Sequence, residues 1–231
     1  QDFASRWPRL GELRHEADDA EDFASLDSEL VDWHLRLEAA GEDGLLDTVE
    51  ALLTDLRRDF GLWIRDTYPG WMEDREGSPV LSPDVVPHFL VPRLDGDPVL
   101  LVVLDAMRLD QWRVMLPLLA PLFDVEEVLH FSILPTATPF SRNAIFAGQF
   151  PDAIAREHPA WWGNLDDEGS LNAHEGELLR ACLRRETGRE VKVHYEKVFS
   201  DREGDQLRGR VRSALARDTA VGALVFNFMG L

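Results

Sequence analysis

A single cysteine, Cys182, stands among the 231 residues, so no disulfide can form within the chain. A lone thiol fits a reducing compartment, and a cytoplasmic location is the expectation. Long apolar runs are missing as well. The longest, Pro98 to Leu104, has the length of one buried strand and falls far short of the roughly 20 residues a membrane-spanning helix needs. No leader pattern opens the chain, and its first residue is Gln1 rather than Met, which points to a fragment or a processed end. Positive charge is scarce: 24 Lys+Arg face 43 Asp+Glu, a formal net charge of −19. The deficit is uneven. Residues 1–98 hold 9 basic and 24 acidic side chains, a net of −15, whereas residues 99–231 hold 15 and 19, a net of −4. An acidic front half is a poor surface for a nucleic-acid backbone. The nearly balanced back half leaves room for an anionic substrate at a locally positive or cation-bearing site. No internal repeat and no low-complexity tract is present, and the 45% apolar content is ordinary for a chain that buries a core.

What is present divides into two grammars. Residues 1–25 are acidic, with few apolar positions, and read as short helices or a connector. In SLDSELVDWHLRLEAA, Leu26, Leu30, Trp33 and Leu37 recur at helical spacing, with Ser25 or Asp27 as the cap. GEDG at 41–44 breaks that helix. Leu46, Val49, Leu53, Leu56, Phe60 and Trp63 then follow a 3,4,3,4,3 rhythm, one apolar stripe on a helix of about six turns. Two antiparallel helices, with a third from residues 3–24, make a small bundle. Five prolines in SPVLSPDVVPHFLVPRLDGDP exclude a long helix or a central strand and mark the crossing into the next region. From Pro98 strand and helix alternate: PVLLVVLD as a strand buried on both faces, Leu109–Phe123 as a helix, VLHFSIL as a second strand, and Thr138–Ala147 as a helix closed by Gly148. A helix over Glu175–Glu186 closed by Gly188, a strand in EVKVHYEKV, a helix over Asp205–Arg217 and a last strand in VGALVFNF follow. The reading is an acidic helical bundle over 1–95 and an α/β region, most simply a doubly wound sheet, over 96–231.

Two places carry candidate chemistry. Asp105 closes a buried parallel strand, where open α/β sheets place their sites. A carboxylate there must be paired, hydrogen-bonded or bound to a cation, and a helix cap is the plain alternative. LPTATPFSRNAIFAGQFP places two threonines in a turn before a helix, where free backbone N–H groups and the positive dipole end suit a phosphate. Thr is also an ordinary cap in such a place. Both segments follow strands, so both can open on one sheet edge, and a cation held by Asp105 would lower the hydroxyl pKa of a neighbouring threonine.

VVLDAMRLDQW followed by FSILPTATPFSRNAIFAGQFP resembles the PglZ domain, a branch of the alkaline phosphatase superfamily, and the match is close to PglZ-bearing response regulators of the PorX type. HEGELLRACLRR and VFNF also sit where that family has related segments, and the acidic helices resemble the three-helix module those regulators place before PglZ. The resemblance implies an alkaline-phosphatase-like sheet with flanking helices, of which 96–231 form the N-terminal part. It implies two divalent metal ions, typically zinc, with Asp105 as the first aspartate ligand. The family's threonine register selects Thr138 over Thr136 as nucleophile and metal neighbour, attacking to form a phospho-threonine. Arg142 and Asn143, one turn on, are placed to contact a phosphate, with a solvated helix face as the alternative. The implied substrates are phosphate esters or oligonucleotides, including cyclic ones, and the implied partners are a receiver domain and a sensor kinase. The superfamily's later ligand motifs, an Asp-x-x-x-His, an Asp-His pair and a final His, do not occur, and Gly230 stands where the first would begin.

His158, His174 and His194 have no ligand spacing among themselves, Trp161 and Trp162 read as lid packing before base stacking, and Cys182 reads as core. Three functions follow: a metal-dependent phosphohydrolase as output domain of a two-component regulator; a PglZ-like interaction domain without metals; and an acidic module that forms a homodimer through the 46–63 stripe.

Overall fold

The computed structural model describes residues 3–163, 172–198, 204–215 and 218–227. Three helices open the chain: α1 (Phe3–Glu16), α2 (Ala20–Ala40) and α3 (Asp43–Glu73). The start of α2 lies about two turns earlier than Ser25 or Asp27. Asp19 is the cap, its Oδ1 accepting from the Asp22 N–H at 2.9 Å, because Phe23 extends the apolar stripe backward from Leu26. Gly41 ends α2 with φ of 70°, a left-handed cap that returns its N–H to Glu38 and Leu37 carbonyls, and α3 folds back along α2. The stripes meet as the spacing predicts. Leu26, Leu30, Trp33, Leu37, Val49, Leu53 and Leu56 are buried in one core with Phe3 and Leu10, and Leu46, Phe60 and Trp63 pack on it. The α3 helix runs on to Glu73 through Pro69, since Trp71 is buried and meets the Trp63 ring edge-on at 5.6 Å.

The chain forms two compact units, residues 1–79 with 108–129, and residues 80–107 with 130–231. The helix α4 (Leu109–Leu119) thus packs with the bundle. Its Arg113 pairs with Asp32 at 3.0 Å and donates to the Ser28 hydroxyl at 2.6 Å, both on α2.

In the second unit the proline-rich segment makes short helical turns, 3-10 at Ser82–Asp84 and Val91–Arg93 and the wider π-helical form at Val86–Leu90. Leu81, Ser82, Val86 and Leu90 are buried, so this stretch is packed rather than a free crossing. Three parallel strands, β1 (Val99–Leu104), β2 (Val193–Val198) and β3 (Val221–Phe226), pair in the order β1-β3-β2, with Val221 opposite both Val99 and Val193. The helices are α5 (Thr138–Ala147), α6 (Pro151–Glu157), α7 (Glu175–Thr187) and α8 (Gly204–Ala214). Val221, Ala223 and Val225 of β3 join the core formed by Phe146 of α5 and Leu178, Leu179, Cys182 and Leu183 of α7. On the other face, Gly222 admits the backbone of Ala214 from α8, whose carbonyl oxygen a Cβ there would meet at 2.6 Å. The central strand is therefore covered on both sides, the α/β arrangement expected.

Two expectations change. The strand expected in VLHFSIL is a single parallel bridge, Phe131 to Leu81, with the Phe131 N–H on the Val80 carbonyl at 2.9 Å. The partner segment lies between Pro79 and Pro83, which have no N–H to give, so the ladder stops at one rung. β1, expected to be buried on both faces, is an edge strand with Val102 exposed.

Candidate active site at the strand ends

The parallel ladder runs one residue past the strands. The Asp105 N–H bonds the Phe226 carbonyl at 3.0 Å, and the Asn227 N–H bonds that of Val198 at 3.1 Å. Asp105 and Asn227 thereby stand side by side at the carboxyl ends of β1 and β3. Lys197 lies at the matching end of β2. Directly after Asp105, Ala106 takes a φ of 57°, a conformation uncommon for a residue with a Cβ, and the backbone leaves the sheet.

Asp105 is not a helix cap. The cap of α4 is Arg108, whose N–H bonds the Gln111 side chain at 2.9 Å, while its guanidinium makes an exposed ion pair with Asp110. Thr138 is not a cap either: Ala137 holds that position on α5 and Thr138 is the first helical residue, with no hydrogen bond to its hydroxyl among the described residues. The plain explanation thus falls away for both.

Arg142 joins them. It lies one turn after Thr138 on the same face of α5, as residues four apart do. Its Nη1 donates to Asp105 Oδ2 at 2.8 Å and to Asn227 Oδ1 at 2.7 Å, and its Nε donates to Glu175. Glu175 opens α7 and is fully buried. It also accepts from the Tyr195 hydroxyl and from Asn172 Nδ2 at 2.9 Å, and Lys197 Nζ stands 3.1 Å from it. Gly176 makes this possible, since a Cβ there would come within 3.0 Å of the Tyr195 ring. Burial first, then the Glu175 charge, pushes the Tyr195 phenol well above its ordinary range, so it stays a donor.

The sequence-derived residues are thus drawn together unequally. Asp105 and Arg142 are in direct contact, and Thr138 shares the Arg142 helix face. Arg142 is only 4% exposed, with Nη2 its one nitrogen lacking a partner among the described residues. Asn143 is fully buried, its amide nitrogen on the Pro139 carbonyl at 2.9 Å and its oxygen accepting from Asn172. Glu175, Tyr195, Lys197 and Asn227 were not among the candidates. The available signal was that Asn227 is a polar group directly after an apolar strand, the same pattern that singled out Asp105.

For a divalent cation, Asp105 offers Oδ1, which has no partner among the described residues, and Thr138 offers a hydroxyl. Two hard oxygen donors fit the first positions of such a site. The described residues do not complete it. The group of three potential ligands found among them, Asp18, Asp19 and Asp22, is exposed in the bundle. Gly230 lies outside the described residues. His158 stacks on Trp161 at 4.4 Å, His174 precedes α7, and His194 lies 3.6 Å from Glu196. Trp161 and Trp162 pack on the second core, and Cys182 is inside it.

No curated protein matches the chain. Among described residues, no helix is long and apolar enough to cross a membrane. Residues 1–72 match the family described as PorX response regulator linker domain, which accounts for the acidic bundle. Residues 86–230 match that described as BREX system PglZ alkaline phosphatase-like domain, and this span contains every residue tied to Asp105 at the strand ends. The chain therefore belongs to the PglZ alkaline phosphatase-like family, with its PglZ region set behind a response regulator linker.

Proposed function

We propose that the PglZ region is a metal-dependent phosphohydrolase acting on phosphodiesters, oligonucleotides included, as the output of a two-component regulator in the cytoplasm. The observation that carries this is the Arg142 bond to Asp105, which sets the α5 face bearing Thr138 against the carboxyl end of β1. Asp105 and Thr138 would contribute to holding two divalent ions, zinc by the family's habit, with further donors from outside the described residues. Such ions supply charge neutralisation and a lowered hydroxyl pKa. Thr138 places its hydroxyl at the start of α5, where the free N–H groups and dipole of the first turn attract the phosphate it attacks. A receiver domain and a sensor kinase are the partners this reading requires.

Thr138→Ala in the intact gene product is expected to abolish hydrolysis of bis(p-nitrophenyl) phosphate while the protein stays folded by circular dichroism. Retained hydrolysis would sink the assignment.

A second reading has its own support: Arg142 already compensates the Asp105 charge, so the fold can persist without metal, as an interaction domain. Elemental analysis separates the two, since about two zinc per chain is the expectation for the enzyme and none for the interaction domain.

A further inference from the structure

Asp105 is held at its backbone by the sheet, but the chain turns away at Ala106 and the side chain is about a quarter exposed. Its orientation has to come from a neighbour. Arg142 is that neighbour, and its planar guanidinium points different donors at Glu175 and at the Asp105–Asn227 pair. Glu175 fixes the other end. It is fully buried and takes two cations, a phenol and an amide, so it has no alternative arrangement of comparable energy. The result is a rigid line from the ends of all three strands through one arginine. A network serving stability alone has no need to finish on a partly exposed carboxylate.

We infer that Arg142 is a positioning residue for Asp105, and that Glu175 is the anchor that makes it one; this rests on the metal-site reading above. Arg142 occupies Oδ2 and leaves Oδ1 for the cation. Neither residue needs to touch the substrate to act.

The test uses the intact gene product, with zinc affinity measured by competition with a chromophoric chelator and with kcat and KM measured on bis(p-nitrophenyl) phosphate. Arg142→Gln and Glu175→Gln are expected to weaken zinc binding by about 10- to 100-fold and to lower kcat comparably, as loss of a ligand's outer partner does. KM should stay within about threefold, because ground-state binding is not removed. Arg142→Lys, a point charge that cannot bridge three acceptors, should restore only part, and it carries the test if Glu175→Gln does not fold. Zinc affinity and kcat near wild type in Arg142→Gln overturn the inference. So does a rise in KM alone, which would make Arg142 a substrate contact, or tighter zinc binding, which would make it a competitor of the cation. Wild-type protein that binds no zinc overturns the underlying reading instead, before any variant is made.

Discussion

The two units use the same chemical pair, arginine with a carboxylate, in opposite ways. In the bundle, Arg9 with Glu12 and Arg65 with Asp66 lie on the surface, in a region of large negative charge, at 3.0 and 2.7 Å. At the strand ends, Arg142 with Glu175 is 5% and 0% exposed. Exposed pairs are worth little, since water and salt already solvate both partners. A buried pair is also a weak source of net stability, yet removing one partner strands a charge where nothing can solvate it. These surface pairs of the bundle therefore add little beyond solubility, and the PglZ region uses a few buried charges for geometry.

The largest break of this contrast is Glu175→Ala, which leaves Arg142 and Lys197 facing an uncompensated void. It should cost about 3–5 kcal/mol, read from the denaturant midpoint. A value under about 1 kcal/mol would mean that water reaches the cluster.

That cluster was the least legible part of the chain. Glu175 in AHEGELLR reads as a solvated acid in the first turn of an amphipathic helix, where the dipole favours it. Only the convergence of α5, α7 and three strand ends makes it a core residue, and pairing of that range leaves no local trace. Asp105 and Thr138 were legible because each stands at a junction, strand to loop or turn to helix, that a pattern marks. The helices were legible for the same reason: Gly41, Gly148 and Gly188 each close one in the left-handed conformation. The strand expected at Val128–Leu134 failed because alternation states which face is apolar but not whether a neighbouring edge can hydrogen-bond to it.

The next effect is on the pH scale. Burial pushes the Cys182 thiol from its ordinary 9.0 up to about 11. The folded state thus holds that proton more tightly, so its contribution is complete below pH 9 and is lost as pH rises through 11. The unfolding free energy should fall by about 1–3 kcal/mol across that window, with a flatter slope in Cys182→Ala. The bundle behaves oppositely. The hydrogen bond from Arg6 holds the Glu29 carboxyl below its ordinary 4.5, so that contribution is present above this value and is lost as pH falls. Far-ultraviolet circular dichroism across the acid range reads it.

Smaller again is Asp19→Ala. It removes the α2 cap and should cost about 1 kcal/mol, seen as a lower midpoint for the helical signal. Smallest is Arg65→Ala, where the midpoint should not move measurably at any salt concentration. A clear shift there would show that the surface pairs of the bundle are coupled more strongly than their exposure implies.

Helix α4 starts four residues after Asp105, yet it packs with the bundle, and the chain does not return to the second unit until residue 130. No single cut divides this protein. A fragment beginning at residue 80 takes Arg113 away from Asp32 and Ser28, and a fragment ending at residue 79 leaves α2 without Arg113. Deletion mapping by halves would injure both pieces and credit each with properties of the other. Swapping residues 1–79 and 108–129 together, as one discontinuous graft, is the operation that respects the way this chain is threaded.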